Sequence, residues 1–289
     1  MKFWQALSFS EPDQLLELAP LVEQAGFEGA LVSDHLFFPG RLESKYPYSE
    51  DGVPGFDGET PFPECWSTIA AMAAVTRSLR FSTMVHILPL RNPIEVARVT
   101  GTVAVLSKGR VCLGAGAGWI REEFDVLGVP FERRGRRFDE CIEVLRKLWA
   151  GGLVEHHGEH VGFPPIQMSP APAEPVPILI GGVSGPALRR AARLGDGWLG
   201  SGQTPDEVLD IVGRLTELRA EAGRRDQPFE VIAPLTVAPD PDTLKRLEDA
   251  GVTGTVSYPF LYTLGPTSTL DAKRAYLEQF AENVIAKLG

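Results

Sequence analysis

A (β/α)8 TIM barrel with insertions after strands two and four is the fold class the sequence predicts, and three observations predict it. Short β-branched or aromatic runs alternate with longer segments of helical period, eight times over. Glycine and proline stand at the joints that βα units require. The 289 residues suit one α/β barrel, a fold that commonly fills roughly 200–250 residues or more as a single unit, and no linker, long-period repeat or low-complexity block divides them. Residues 1–289 are therefore expected to form one domain.

In chain order the strands are expected at 2–8, 29–33, 80–86, 110–115, 177–181, 197–200, 229–236 and 253–257. The helices are expected at 12–25, 65–76, 93–106, 132–150, 185–194, 205–223, 241–250 and 270–288. Pro12, Pro93 and Pro205 open helices, where a missing N–H costs nothing. Gly26 closes the first helix, Gly109 precedes the fourth strand, and Gly251 separates the seventh helix from the eighth strand. Two connections exceed ordinary turns. Phe37 to Pro63, with Tyr46, Tyr48 and Phe56, follows strand two and so lies over the C-terminal face as either a lid or a solvated loop. Gly151 to Pro177 reads as a hairpin turning near Gly158, continued by a Pro-rich arm.

Composition narrows the function. The 28 basic and 38 acidic residues give a formal charge of -10, which argues against nucleic acid or an anionic membrane as partner. A polyanionic ligand would need a local cluster, drawn from Arg41, Lys45, Arg91, Arg121, Arg189 and Arg190. Cys65, Cys112 and Cys141 show no metal spacing, each sits in an apolar segment, and no apolar stretch has membrane length. Reduced thiols in a cytoplasmic protein are expected. His156, His157 and His160 cluster in the hairpin without a companion carboxylate or Cys pattern, so no metal is expected there. Strand one ends Leu7-Ser8-Phe9-Ser10, without the His-x-His that an amidohydrolase barrel needs.

Three groups carry candidate chemistry. Asp34 and His35 follow the apolar strand Gly29 to Ser33 and stand at the barrel mouth, where an imidazole exchanging protons near pH 7 suits acid–base assistance; the alternative is packing for His35 and a cap for Asp34. The run Gly114-Ala115-Gly116-Ala117-Gly118-Trp119 lacks the third glycine of a dinucleotide fingerprint, and the next expected helix starts too late to hold a pyrophosphate. Its glycines permit close approach of a flat ligand, or simply a tight turn. Gly181-Gly182-Val183-Ser184 opens a helix and offers N–H groups, a hydroxyl and a positive helix end to a phosphate, though the same residues also make an ordinary N-cap.

Taken together, these residues resemble the luciferase-like monooxygenase superfamily, and within it the branch of oxidoreductases that use the deazaflavin coenzyme F420. The resemblance covers almost the whole chain and is carried by Ser33-Asp34-His35, Leu88 to Pro93, Leu106 to Val111 running into Gly114 to Trp119, Glu122-Glu123-Phe124, Gly128-Val129-Pro130, Arg133 to Arg137 and Ala192 to Trp198. It implies a small-molecule substrate, hydride transfer to or from the deazaflavin, and F420 as cofactor with FMN as the alternative. It further implies that Asp34 and His35 lie against the cofactor beside its reactive ring carbon, with His35 as proton donor or acceptor held by Asp34, and that a strand-three bulge with a non-proline cis peptide supports the back of the ring at Thr83-Met84. Ring and phosphate contacts fall to Gly116, Gly118, Gly181, Gly182, Val183 and Ser184, and a homodimer would pack through Ile69, Met72 and Val75. One departure stands out. The sugar-phosphate dehydrogenase branch carries an acid after the glycine run, where this chain has Trp119, and that argues against a sugar-phosphate substrate. An FMN-dependent monooxygenase and a non-catalytic flavin-binding protein are the competing readings.

Overall fold

A computed structural model describes residues 1–287. Its barrel consists of β1 (Lys2–Ala6), β2 (Gly29–Val32), β3 (Arg80–Thr83) with its continuation β4 (His86–Ile87), β5 (Val111–Gly116), β8 (Ile178–Gly181), β9 (Gly197–Leu199), β10 (Glu230–Pro234) and β11 (Gly254–Ser257). All neighbours are parallel, in the order β3-β2-β1-β11-β10-β9-β8-β5, and pairing of β3 with β5 closes the ring. Continuous burial of β2, β5 and β9 explains why those strands read as unbroken apolar runs.

The helices between the strands are α1 (Leu15–Gln24), α2 (Cys65–Val75), α3 (Pro93–Ser107), α4 (Arg121–Val126), α5 (Arg134–Trp149), α6 (Gly185–Leu194), α7 (Pro205–Glu221), α8 (Pro241–Asp249), α9 (Phe260–Leu264) and α10 (Leu270–Asn283). Local chemistry sets their ends. Asn92 caps α3, Ser184 caps α6, and Thr204 with Glu207 forms a complete capping box on α7. Pro12 opens a short 3-10 turn ahead of α1 rather than the helix itself. Residue 288, the expected end of the last helix, lies outside the described residues. The short helices α4 and α9 were not expected, because six and five residues are too few for a periodic signal.

Two packed layers hold the barrel. Trp4, Ala6, Leu31, Cys112, Leu179, Leu199, Ile232 and Val256 fill its interior, and Met84 and Val85 pack on them. The second layer lies between strands and helices, and there the expected dimer face fails for two of its three residues. Ile69 and Met72 are sealed against the barrel, and only Val75 is exposed. Both insertions are present. The second forms the hairpin β6 (Leu153–His157) and β7 (Gly162–Gln167), which runs back along α5: Glu140 accepts the backbone N–H groups of His160 and Val161, and Arg133 pairs with Glu159 at 2.7 Å. Its histidines differ in burial. His156 is buried, with Nε2 3.3 Å from Glu140 and Nδ1 3.1 Å from Lys147, while His157 stays exposed.

Candidate active site at the barrel mouth

Strand three is broken where a cis peptide joins Met84 to Val85, one residue later than expected, since counting back from a proline locates a bulge only to within a residue. The break turns the Val85 side chain toward the adjacent strand ends. A Cβ placed on Gly116 would overlap Val85 Cγ2, and one on Gly181 would lie 2.6 Å from Val85 Cγ1. These glycines thus make room for the bulge itself. Thr83, expected against a ring, is instead fully buried and donates its hydroxyl to Gly114 O at 2.7 Å, tying β3 to β5. Met84 and Val85 are the residues left to form a floor. Gly118, with φ +80, sits where a Cβ would come within 2.7 Å of Ile87 and 2.9 Å of Phe124.

Asp34 and His35 separate, which corrects the expectation that one holds the other. Adjacent residues at the end of a strand point in opposite directions. Asp34 turns inward, where Oδ2 accepts the Ile87 N–H at 3.0 Å and lies 3.0 Å from His86 Nδ1, and Oδ1 accepts from Arg91 Nη2 at 2.7 Å. Burial alone would raise its carboxyl, but His86, Arg91 and the Ile87 N–H together hold it at about 2. Cys65 Sγ lies 3.7 Å from the same His86 nitrogen.

Asp34, Cys65 and His86 could in principle hold a metal, being close enough to share one ion. Two facts oppose that use. Burial, then the charges of Asp34 and Glu64, push the Cys65 thiol well up, whereas a metal needs the thiolate; and Arg91 already supplies a cation to Asp34. The three residues form a hydrogen-bonded footing under the mouth. His86 went unnoticed in the sequence, although its place at the end of strand three is the same signal that singled out Asp34.

His35 turns outward to a different partner, its Nδ1 lying 3.2 Å from Glu123 Oε2. The Leu36 N–H donates to Glu123 Oε1 at 2.9 Å. Glu123 belongs to the unexpected helix α4, which begins soon after β5 and makes the glycine run a turn into a helix after all. The residue beside it ties down the long loop: Glu122 accepts from the N–H groups of Glu43 and Ser44 and from the Ser44 hydroxyl. Burial opposes ionisation of Glu122, yet the Ser44 hydroxyl, its own N–H and the N–H groups of Glu43 and Ser44 together hold it at about 2.

Phe37 to Pro63 therefore packs as a cover on the mouth. Ring centroids of Phe62, Phe56 and Trp119 lie 5.2, 5.4 and 6.0 Å from that of His35, and Tyr46 stands 5.2 Å from Trp119. Burial, with Tyr262 and Tyr48 nearby, pushes the Tyr46 phenol up to about 12, so it remains a neutral donor.

Across the mouth, Gly182 takes φ +108 and Ser184 Oγ accepts the Ala187 N–H at 3.4 Å. The N–H groups of Val183, Ser184 and Gly185 donate to no acceptor among the described residues. The expected basic patch is mostly spent. Arg41, Arg91, Arg121 and Arg190 pair with Glu43, Asp34, Glu132 and Asp139, which leaves Lys45 and Arg189 without an acidic partner among the described residues.

A barrel whose mouth carries a strand-three bulge, a shielded histidine and a glycine-rich turn opening a helix has clear relatives. An uncharacterised protein of Mycobacterium tuberculosis is 43% identical over 290 residues, with both chains fully covered. The F420-dependent glucose-6-phosphate dehydrogenase of Nakamurella multipartita is 30% identical over 245 residues, 82% of this chain and 67% of that one. A crystal structure of a monooxygenase from Streptomyces bottropensis covers both chains fully with a TM-score of 0.78 at 19% identity, a likeness of fold. The family model for luciferase-like monooxygenases matches residues 3–283, and the chain belongs to that family.

Proposed function

We propose that this protein is an F420-dependent oxidoreductase that passes a hydride between the deazaflavin coenzyme and a small organic substrate. The observation that carries the reading is the 30% identity over 245 residues to an F420-dependent dehydrogenase. The residues at the mouth fit such a group. The Gly181-Gly182 turn leads into three backbone N–H groups, those of Val183, Ser184 and Gly185, that are unengaged among the described residues at the start of α6, a helix long enough for its positive end to favour a phosphate. Arg189, one turn along, has no acidic partner among the described residues. Met84 and Val85 offer an apolar floor for a flat ring, with Gly118 at its edge, while the space beside Gly116 is taken up by Val85.

When bound, the deazaflavin supplies the hydride chemistry; it has carbon where FMN has N5, so its reduced form resists oxygen. The chain's own residues do the positioning. The β8–α6 turn holds the phosphate end, and the floor orients one ring face toward the mouth. Phe56, Phe62 and Trp119 pack around the His35 ring and screen it from water, so a proton moves between the substrate and His35 rather than bulk solvent. His35 Nε2 is the atom that exchanges it, because Nδ1 is taken by Glu123. Asp34 acts from below, through the footing it makes with His86 and Arg91. The aromatic wall favours an uncharged substrate, and Trp119 replaces the acid expected for a sugar phosphate.

Assembly as a homodimer through the exposed Val75, Val105 and Leu106, and a cytoplasmic location consistent with three free cysteines, accompany this reading. Among the described residues no helix is long and apolar enough to cross a membrane. Titration with F420, FMN and FAD tests the cofactor. F420 should bind at about micromolar or tighter, roughly -8 kcal/mol, with affinity falling as salt rises. Tight FMN binding with substrate-dependent oxygen consumption would replace this reading by a monooxygenase, and binding without any turnover by a flavin carrier.

A further inference from the structure

The geometry points to Glu123 as the positioning residue that decides which ring nitrogen of His35 carries the proton, and so presents His35 to the mouth as a proton acceptor. The inference rests on the proposed role of His35 in proton exchange. Glu123 is completely buried, yet among the described residues it has no Arg or Lys partner. A buried carboxylate in that situation is tolerated only where N–H groups point at it. Two do. Oε1 receives the Leu36 N–H at 2.9 Å, and Oε2 faces His35 Nδ1 at 3.2 Å.

If Nδ1 carried no proton, its lone pair and that of Oε2 would oppose each other in a buried space. The proton therefore belongs on Nδ1, and a neutral ring then has its lone pair on Nε2. That nitrogen has no hydrogen-bond partner among the described residues and is not sealed off, in contrast to His86 Nε2, which is buried without a partner. It is open to a substrate hydroxyl. The direction of proton transfer that the neutral enzyme favours is thus written into α4, the helix that follows the glycine run, by a residue that never touches the reacting atoms.

Glu123→Gln makes the claim sharp because it keeps the shape and changes only the donor pattern. An amide has one acceptor oxygen. The Leu36 N–H cannot change its polarity, so the oxygen stays with it and the NH2 faces the ring. Nδ1 must then accept, and the ring proton moves to Nε2, on the mouth side.

The test is two-bond 1H–15N correlation of histidine imidazoles in cofactor-free protein, with the His35 signal identified by its loss in His35→Asn. Wild type should show the Nδ1–H tautomer and Glu123→Gln the Nε2–H tautomer, with F420 affinity unchanged. An Nε2–H ring in wild type, as a protonated Glu123 would produce, overturns the inference, and so does the same tautomer in both proteins. Should the variant fail to fold, the wild-type tautomer still decides between support and rejection. Failure of the cofactor reading would show separately, as absence of F420 binding to wild type while the tautomer pattern stands.

Discussion

Replacing Asp34 by Asn should cost stability more than it alters the proton-exchanging histidine. Asp34 serves three partners from a nearly sealed position, at 3.0 Å from both the Ile87 N–H and His86 Nδ1 and at 2.7 Å from Arg91. Its carboxyl falls from an ordinary 3.8 to about 2 in the folded protein. At ~1.4 kcal/mol for each pH unit, the ionised carboxylate contributes about 2 kcal/mol. Breaking a buried ion pair by removing one charge costs ~3–5 kcal/mol, because the other charge stays uncompensated. Arg91 is in that position, with Nη1 already buried and without a partner among the described residues. Asn retains an acceptor for the Ile87 N–H, so a loss of about 3 kcal/mol at pH 7 is expected. The sign with pH follows from the depressed value. The contribution is complete above pH 3.8, declines as pH falls toward 2, and roughly half of it remains near pH 3. Urea unfolding of both proteins between pH 7 and 3 measures this, and the gap between them should narrow by about 1 kcal/mol at the acid end. A gap below about 1 kcal/mol at pH 7, or one independent of pH, would refute the assignment of Asp34 as the footing.

Gly116→Ala should destabilise by ~1–3 kcal/mol through overlap with Val85, and pairing it with Val85→Ala should recover part of that loss in a double-mutant cycle. His35→Ala should fold normally, bind F420 with little change and lose turnover by roughly 10²–10⁴-fold; an unchanged rate with any competent substrate would reduce His35 to lining. Glu122→Ala should free the loop from α4, so trypsin at neutral pH should cut after Arg41 and Lys45 faster than in wild type, and in wild type the Glu43 and Ser44 amides should lose hydrogen-exchange protection, relative to their intrinsic rates, as pH falls from 4.5 toward 2. Untagged protein should contain no stoichiometric zinc, and chelation should leave its melting temperature unchanged; bound zinc whose removal abolishes activity would overturn the hydrogen-bonded reading of Asp34, Cys65 and His86.

The sequence by itself was enough for the barrel, because strand burial, helix caps and turn glycines are local properties written at local spacing. The Gly197–Leu199 strand was legible despite its three residues, since a helix stands on either side of it. Asp34, His35, Gly182 and Ser184 were legible for the same reason: each sits at a strand end, and in a parallel barrel every such end faces one mouth. Their pairings were not. His35 meets Glu123 across 88 positions and Asp34 meets Arg91 across 57, and only ring closure determines which side chains share that space. The alternation of a strand places Asp34 and His35 on opposite sides, yet what waits on each side is decided by other strands. Gly116 and Gly181 make the same point: one read as room for a flat ligand and the other as part of a phosphate cradle, and the tertiary structure fills the space beside both with Val85, because a bulge in one strand takes its room from its neighbours.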